Sequence, residues 1–360
     1  NFGGMETHVR TLAQAQAQAG MQVSVFCVQH LAAGESLEQD GAVAVRRFRR
    51  RFSVAKLDVC AGLTRALARQ EADVFHVHVP NPAMILAVLR ARATKTLVVT
   101  YHSDLVSQKW TAWAFRPVER RFYARVRIIL ATNPRYPEGS AFLERYRERV
   151  RVVPMGIELQ PYAAPASEAL AEAERIRAAY PPPIWLSCGR LVYYKGLETA
   201  LRALREVAGT LLIIGAGPLR QPLEALAAAC GVAERVVFFG PVVDPVPYYL
   251  AAHALWFPSN TRAEAFGLAQ VEAMASGCPV INAHIPHSGV PWVCPHEVGG
   301  LTVPLNDPAA FAAAARRLQE EPGLRERLAA GGRARALAEF DHRLMAQRTL
   351  AAYREALAAS

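Results

Sequence analysis

Apolar residues in this chain come in short runs separated by amphipathic stretches, and the order of the two is regular. In the first half, apolar runs of strand length lie at 22–28, 42–45, 74–77, 96–101, 128–132 and 150–153. Helical periodicity fills the gaps at about 55–70, 82–92, 113–125 and 138–147. Residues 158–183 are rich in Ala, Glu and Pro, close on three prolines at 181–183, and have the character of a hinge. The alternation then resumes, with strands expected near 184–188, 211–214, 235–239, 254–257, 279–282 and 300–303. From Asp307-Pro308 the pattern is helical to the end. A last helix near 342–358 offers Leu344, Met345, Leu350, Tyr353 and Leu357 for packing. Strands that alternate with helices predict an α/β protein with parallel sheets covered on both faces. Ligands of such sheets bind beyond the carboxyl ends of the strands. Two series in 360 residues predict two domains, 1–157 and 158–341.

Composition narrows the class. At 52% hydrophobic and 20% charged, the chain can build substantial cores. It has no uninterrupted apolar run of about 18 residues, the length a membrane-spanning helix needs. No secretory leader is visible, and no strand precedes Gly3, where an α/β domain would ordinarily begin with one; the reading is of a first strand lost or trimmed away. Six cysteines without CxxC spacing fit reduced thiols in a cytoplasmic protein. The net charge of +10 is unevenly shared. Residues 1–157 hold 23 Lys and Arg against 12 Asp and Glu, a net +11, and the remainder is −1. An acidic acceptor, an anionic membrane surface and a nucleic acid are all compatible partners. Two segments concentrate the charge. Residues 46–52 interleave five arginines with Phe48 and Phe52 just after a strand, and the stretch around 113–125 combines Trp110, Trp113 and Phe115 with Arg116, Arg120, Arg121 and Arg125.

The stretch 261–282 carries the densest chemistry. It sets Glu264 in a polar loop, passes Phe266, Gly267 and Leu268 into a helix bearing Glu272, and stops at Gly277 before Pro279. Free amides at a helix start and the helix dipole favour an anion such as a phosphate. A carboxylate further along the helix can accept bidentate bonds from a diol such as ribose, and one on the loop can face whatever lies beyond the phosphates. Ordinary solvated glutamates on an amphipathic helix would produce the same residues.

Other segments add to this outline. Arg190 and Lys195 stand five residues apart on a glycine-flanked loop beyond a strand, a natural diphosphate clamp. Gly3 and Gly4 precede a helix and can bring backbone amides to a phosphate or sugar. His102 lies at the carboxyl end of a strongly apolar strand. His76 and His78 alternate on another strand and share a face, but no third metal ligand is placed beside them. Gly215-Ala-Gly217 imitates a dinucleotide fingerprint, yet Arg220 stands where the third glycine belongs, which disfavours a dehydrogenase. P-loop and GxSxG motifs are absent from the sequence.

The motifs GGxExHV at 3–9, PMGIE at 154–158, GRLxxxKG at 189–196, IIGxGP at 213–218, FxG at 238–240, FPS at 257–259, ExFGLxxxEAMxxGxPVI at 264–281, SGVPWV and GLTVPxxDP occur in order. Together they resemble the retaining family 4 glycosyltransferases of GT-B fold, over essentially the whole chain. Glu264 and Glu272 match that family's E-x7-E spacing. The segment 294–300 departs from its usual HGxTG pattern.

The resemblance implies two Rossmann-like domains facing a cleft, with 342–360 crossing back to the first. It implies transfer of a hexose from a nucleotide-diphosphate sugar, with retention, without cofactor or metal. Arg190 and Lys195 would hold the diphosphate and Glu272 the ribose. Glu264 and the amides of Phe266, Gly267 and Leu268 would contact sugar and phosphate. His102 would approach the donor sugar, Gly3 and Gly4 would line the diphosphate and acceptor side, and Val242 would meet the base. The expected donor is GDP-mannose, with UDP-sugars next, and the expected acceptor a glycan or a polyprenyl-diphosphate-linked saccharide. Such a protein would be cytoplasmic, with peripheral contact at the inner membrane face through its basic half and no nucleic-acid partner. The rivals are inversion with His102 as base assisted by Asp104, a non-catalytic membrane- or RNA-binding protein on this fold, and a GT-B epimerase or phosphorylase.

Overall fold

Near-continuous apolar runs belong in strands buried on both faces, and the second half of the chain follows that rule. The computed structural model describes residues 4–29, 35–54, 57–60, 62–91, 95–103 and 109–358. The expectations for Gly3 and Asp104, and for the side chains of Arg51, Phe52, Trp110 and Trp113, lie outside the described residues. The chain divides into two units, Asn1–Gly156 with His342–Ser360, and Ile157–Asp341.

In the second unit β9 (Ile184–Cys188), β10 (Thr210–Ile214), β11 (Val236–Gly240), β12 (Ala254–Phe257), β13 (Val280–Ala283) and β14 (Gly300–Val303) form one sheet in the order β11-β10-β9-β12-β13-β14. All its pairings are parallel. Every residue of β10, β12 and β13 is buried. Helices on both faces complete the core, in which Trp185, Trp256 and Phe311 are fully buried. The proline-rich stretch expected as a hinge is instead largely helical, at Gln160–Ala163 and Ser167–Ala179, with Ala173 and Ile176 buried in this unit. Asp307 begins the terminal helices as an N-cap, accepting from the Ala310 amide at 2.9 Å.

The first unit holds two sheets. The four-stranded sheet β5 (Val74–Val79), β6 (Thr96–Tyr101), β7 (Val126–Ala131) and β8 (Val150–Val152) is parallel throughout. The helix His342–Ala358 packs on it and on the helix Gly4–Gln18, joining Met345, Ala352 and Tyr353 to Leu12, Val98 and Ile128. The second sheet is mixed. β1 (Ser24–Gln29) is parallel to β3 (Val43–Val54), whereas β2 (Ser36–Asp40) and β4 (Leu57–Cys60) run antiparallel to it.

This corrects two expectations. The helical pattern expected from 55 begins only at Leu63, because 57–60 pairs with β3. The arginine-rich segment expected after a strand lies within β3 itself. Alternation runs only through Val43 and Val45 and breaks before Phe48, so the arginines are not confined to one face. Val43, Val45 and Phe48 are buried, and Arg46 and Arg47 lie at the rim, where they pair with Glu35 and Glu38. Part of the basic excess is therefore paired with acidic side chains at the rim of the sheet.

Candidate active site

The strand order sets where the second unit's site must lie. From β9 the chain steps outward one way through β10 to β11, then returns to the other side of β9 for β12, β13 and β14. The loops leaving the carboxyl ends of β9 and β12 therefore diverge around a crevice, the topological switch point of an open parallel sheet. These loops are 189–196 and 258–267, which carry Arg190, Lys195 and Glu264. Close approach between them depends on Gly196, at φ +61°, where an added Cβ would come within 2.2 Å of the Pro258 carbonyl oxygen. No other residue fits there without moving backbone.

At the crevice Lys195 Nζ and Glu264 Oε2 meet at 2.5 Å, with side chains only 15% and 12% exposed. Burial pulls the Lys195 ammonium down, but the charge and hydrogen bond of Glu264 outweigh it and leave the pKa raised. Lys195 also stands 4.9 Å over the Phe257 ring. Glu264 is anchored by Ser259 Oγ, which donates to Oε2 at 3.2 Å, and by Ser288 Oγ, which donates to its backbone carbonyl at 2.5 Å. Arg190 lines the same depression as Lys195 and donates from Nη2 to Tyr194 Oη at 2.9 Å.

The helix Leu268–Ala275 starts at the end of the second loop. Gly267, its N-cap, has φ +84°, and a Cβ there would meet the Phe257 ring at 2.8 Å. The Phe266 side chain is core, 3% exposed and edge-on to Phe340, so of Phe266 only the backbone is available at the helix start. Buried Gln270 braces this turn, donating to the Phe266 carbonyl at 3.2 Å and accepting from Asn282 at 2.8 Å. Amides of a first helical turn have no intrahelical acceptor and attract anions. One turn on, Glu272 Oε2 accepts from Tyr249 Oη at 2.7 Å. Burial raises the Glu272 pKa, against the Tyr249 hydrogen bond and the charge of Lys195, which lower it. Val242 is half-buried just past the end of β11, two strands from β9.

The first unit presents a different set. His102 follows the last residue of β6, and its amide donates to the Val79 carbonyl at 2.9 Å. His102 Nε2 lies 3.1 Å from His78 Nδ1. His8, on the buried face of the helix Gly4–Gln18, completes a cluster with ring centroids 5.0 Å from His102 and 5.4 Å from His78. One nitrogen of each ring lies within 4.8 Å of the others. His76 shares a face with His78, their rings stacked at 4.4 Å, but its nitrogens bond Tyr353 Oη and Thr100 Oγ1, each at 2.7 Å. The third imidazole beside His78 is thus His8, which the sequence reading left out. Gly4 opens the helix that carries it.

Within the second unit the structure brings Arg190, Lys195, Glu264, Gly267, Leu268 and Glu272 to one edge of the sheet. Sequence reasoning missed Tyr249 and Ser259, which hold the two carboxylates, and Ser288, which holds the backbone of Glu264. It also missed His8, whose only signal was its place inside GGxExHV, two residues after the glutamate.

Comparison with known proteins identifies the family and the fold. Residues 171–335 match the family described as glycosyl transferases group 1, and residues 3–156 match the glycosyl transferase 4-like domain. D-rhamnosyltransferase WbpZ of Pseudomonas aeruginosa is 38% identical over 267 residues, 74% of this chain and 69% of that protein. O-antigen chain mannosyltransferase C of Escherichia coli is 29% identical over 326 residues, 88% of this chain and 85% of that protein. Among solved structures, sucrose-phosphate synthase of Thermosynechococcus elongatus superposes with a TM-score of 0.81 at 25% identity, covering 99% of this chain and 94% of that one. Anabaena HepE in complex with UDP-glucose gives 0.78 at 18% identity, covering 100% and 97%, a likeness of fold alone.

Proposed function

Because the chain belongs to the group 1 glycosyl transferases, with a 4-like domain before that match, we propose that it moves a hexose from a nucleotide-diphosphate sugar to a glycan or polyprenyl-diphosphate-linked acceptor, with retention of configuration. Its two parallel-sheet units are the Rossmann-like halves of the GT-B fold. The observation that carries the reading is the buried Lys195–Glu264 pair at the switch point, with Arg190 on the loop of Lys195 and a helix start at the end of the loop of Glu264. We assign Arg190 and Lys195 to the diphosphate, whose growing charge they offset as it leaves. Glu272, oriented by Tyr249, takes the ribose, and Val242 meets the base through its backbone. Glu264 and the amides of Phe266, Gly267 and Leu268 take the sugar and its phosphate. Gly3 and Gly4 line the diphosphate and acceptor side, and His102 takes the sugar. Two cations at the diphosphate supply the charge compensation that a divalent ion would otherwise provide, so we expect turnover without added metal.

Glu264 is tied to Lys195 and Ser259, which argues against it as a nucleophile. We therefore favour front-face attack: the acceptor oxygen bonds the anomeric carbon, the carbon–phosphate oxygen bond breaks, and the acceptor proton passes to the departing phosphate. GDP-mannose is the first donor to test. Rhamnose is 6-deoxymannose, so the two relatives are named for sugars of one configuration. A screen of nucleotide sugars for thermal stabilisation, followed by the anomer of the isolated product, tests the whole reading. No stabilisation by any nucleoside diphosphate would end it, and an inverted product would end retention in favour of His102 as general base.

No helix among the described residues is long and apolar enough to cross a membrane. Arg116 and Arg120, exposed on the helix Lys109–Tyr123, are our choice for a peripheral contact with anionic lipid. Binding to anionic vesicles should weaken steeply with salt.

A further inference from the structure

The parallel sheet of the first unit has a second face, turned away from the histidines. Thr100 points to His76, so Tyr101 and its register partner Val79 point the other way. On that side a cavity of about 270 Å³ opens at the carboxyl edge of the sheet. Residues of the helices Pro82–Arg90, Lys109–Tyr123 and Ala141–Glu144 line it with the ends of β5 and β6. Its size is close to the lower end of small-ligand sites, roughly 300 Å³. Every lining residue belongs to the first unit.

The cavity has two halves of different chemistry. Its buried lining is mainly apolar and aromatic. Tyr101 stacks on Phe142 at 5.6 Å, Tyr123 meets Phe142 edge-on at 4.6 Å, and the Tyr146 ring lies 5.6 and 5.3 Å from those of Tyr123 and Phe142. Val79 and Ile85, both buried, continue it, and the Asn81 oxygen is already taken by the Met84 amide at 3.0 Å. Its exposed lining is cationic, with Arg116, Arg120 and Arg145. Glu119 offsets the charge of Arg116, whereas Arg120 and Arg145 have no acidic partner among the described residues. Solvation alone would explain any one of these cations, but not three around one aromatic cavity. A neutral saccharide can stack on the rings but brings no charge for the arginines. An inorganic anion uses the arginines and leaves the apolar half wet. A hydrocarbon ending in a diphosphate uses both halves: three guanidiniums less one carboxylate leave two positive charges, and a diphosphate esterified at both ends carries two negative ones. Resting on the reading of the acceptor as a polyprenyl-diphosphate-linked saccharide, we propose that this cavity seats the lipid carrier. The diphosphate lies on Arg116, Arg120 and Arg145, and the isoprene units next to it lie against the aromatic lining. The anionic lipid that Arg116 and Arg120 meet is then this carrier.

Geranyl diphosphate has both halves and no sugar, and it is the probe. It is titrated by calorimetry into the full chain, with excess GDP present to occupy the second unit. It should bind at least about tenfold more tightly than inorganic diphosphate, because its hydrocarbon leaves water. Arg120→Ala and Arg145→Ala, both at exposed positions, should each raise its Kd about tenfold, the effect of losing one charge-assisted contact. Arg121→Ala, exposed on the same helix but outside the cavity, should leave Kd within about twofold. In turnover with a polyprenyl-diphosphate-linked acceptor, Arg145→Ala should raise acceptor KM about tenfold and leave donor KM in place.

Failure of geranyl diphosphate to saturate the protein would overturn the carrier site. So would inorganic diphosphate binding equally tightly, which would make the cavity a site for free phosphates. An equal loss in Arg121→Ala would overturn it in favour of the charge of the helix as a whole. Turnover of a lipid-linked acceptor with acceptor KM unmoved in both cavity variants would strike the cavity and leave the transferase standing. If no nucleotide sugar is turned over, the transferase reading falls, and geranyl diphosphate binding that depends on Arg120 and Arg145 still supports the cavity.

Discussion

At the carboxyl edge of the second unit's sheet, Lys195, Glu264 and Glu272 are charged or chargeable groups with partners: the first two meet each other, and the third meets Tyr249. At the strand ends of the first unit, the side chains are imidazoles held neutral, and one of the cluster, His8, has no hydrogen-bond partner. Both edges lie where parallel sheets collect ligands, yet their chemistry is opposite. A paired, buried charge is fixed in place before any ligand arrives, and that pre-organisation suits a diphosphate whose charge grows during reaction. Neutral groups left unsatisfied suit a ligand that is itself neutral and arrives with hydrogen bonds to give. The edge that a chain builds from ions and the edge it builds from orphans thus predict different ligands on one fold.

The contrast breaks most sharply at Lys195. Lys195→Ala removes one of the two cations we assign to the diphosphate and strands Glu264, whose side chain is only 12% exposed. We expect kcat/KM to fall about a thousandfold, with loss of several kcal/mol of stability. Adding Glu264→Gln should recover stability but not turnover. If turnover survived Lys195→Ala, the charged edge would be structural only.

The neutral edge has its own signature in acid. An unfolded histidine takes a proton below about 6.5, whereas His8 in the fold resists until about 4. Between those values the unfolded chain binds more protons, so the folded state loses stability as the pH falls, by about 3 kcal/mol for His8 alone. His76, His78 and His102 act in the same direction. Denaturant unfolding at pH 7 and pH 4 should show a smaller difference in His8→Asn than in the parent. An equal difference would mean that His8 protonates freely in the folded protein.

Smaller changes sharpen the comparison. Tyr249→Phe deletes one hydrogen bond to Glu272, so nucleoside diphosphate affinity by calorimetry should fall about fivefold, the value of one bond. Unchanged affinity would detach Glu272 from the ribose. Arg47→Ala removes an ion pair whose side chains are 40% and 52% exposed, and should change stability by less than about 1 kcal/mol.

The second unit was legible because its strands are apolar without interruption: Leu211–Ile214 and Ala254–Phe257 fit buried strands of a parallel α/β sheet. The first unit was less so. β2 reads Ser-Leu-Glu-Gln-Asp, a polar edge strand with no apolar run to announce it, and β3 hides its period behind arginines whose stems lie along the rim. Residues of the charged edge could be named from the motifs, but not their pairing. Lys195 and Glu264 are joined by strand order, which carries the loops after β9 and β12 to one crevice. Tyr249 stands in a short helix, Val246–Ala251, with no motif around it to single it out. His8 and His78 are separated by a whole mixed sheet in the chain and meet only because the first helix packs on the parallel one.

The helix His342–Ala358 closes the core of the first unit and supplies the Tyr353 hydroxyl that satisfies His76. A ribosome makes that helix only after the entire second unit, which is one unbroken segment from Ile157 to Asp341. The usual order of synthesis, in which the leading domain matures first, is therefore reversed here. The half begun earliest waits for the latest residues, and its imidazoles are assembled when the other half can already be complete.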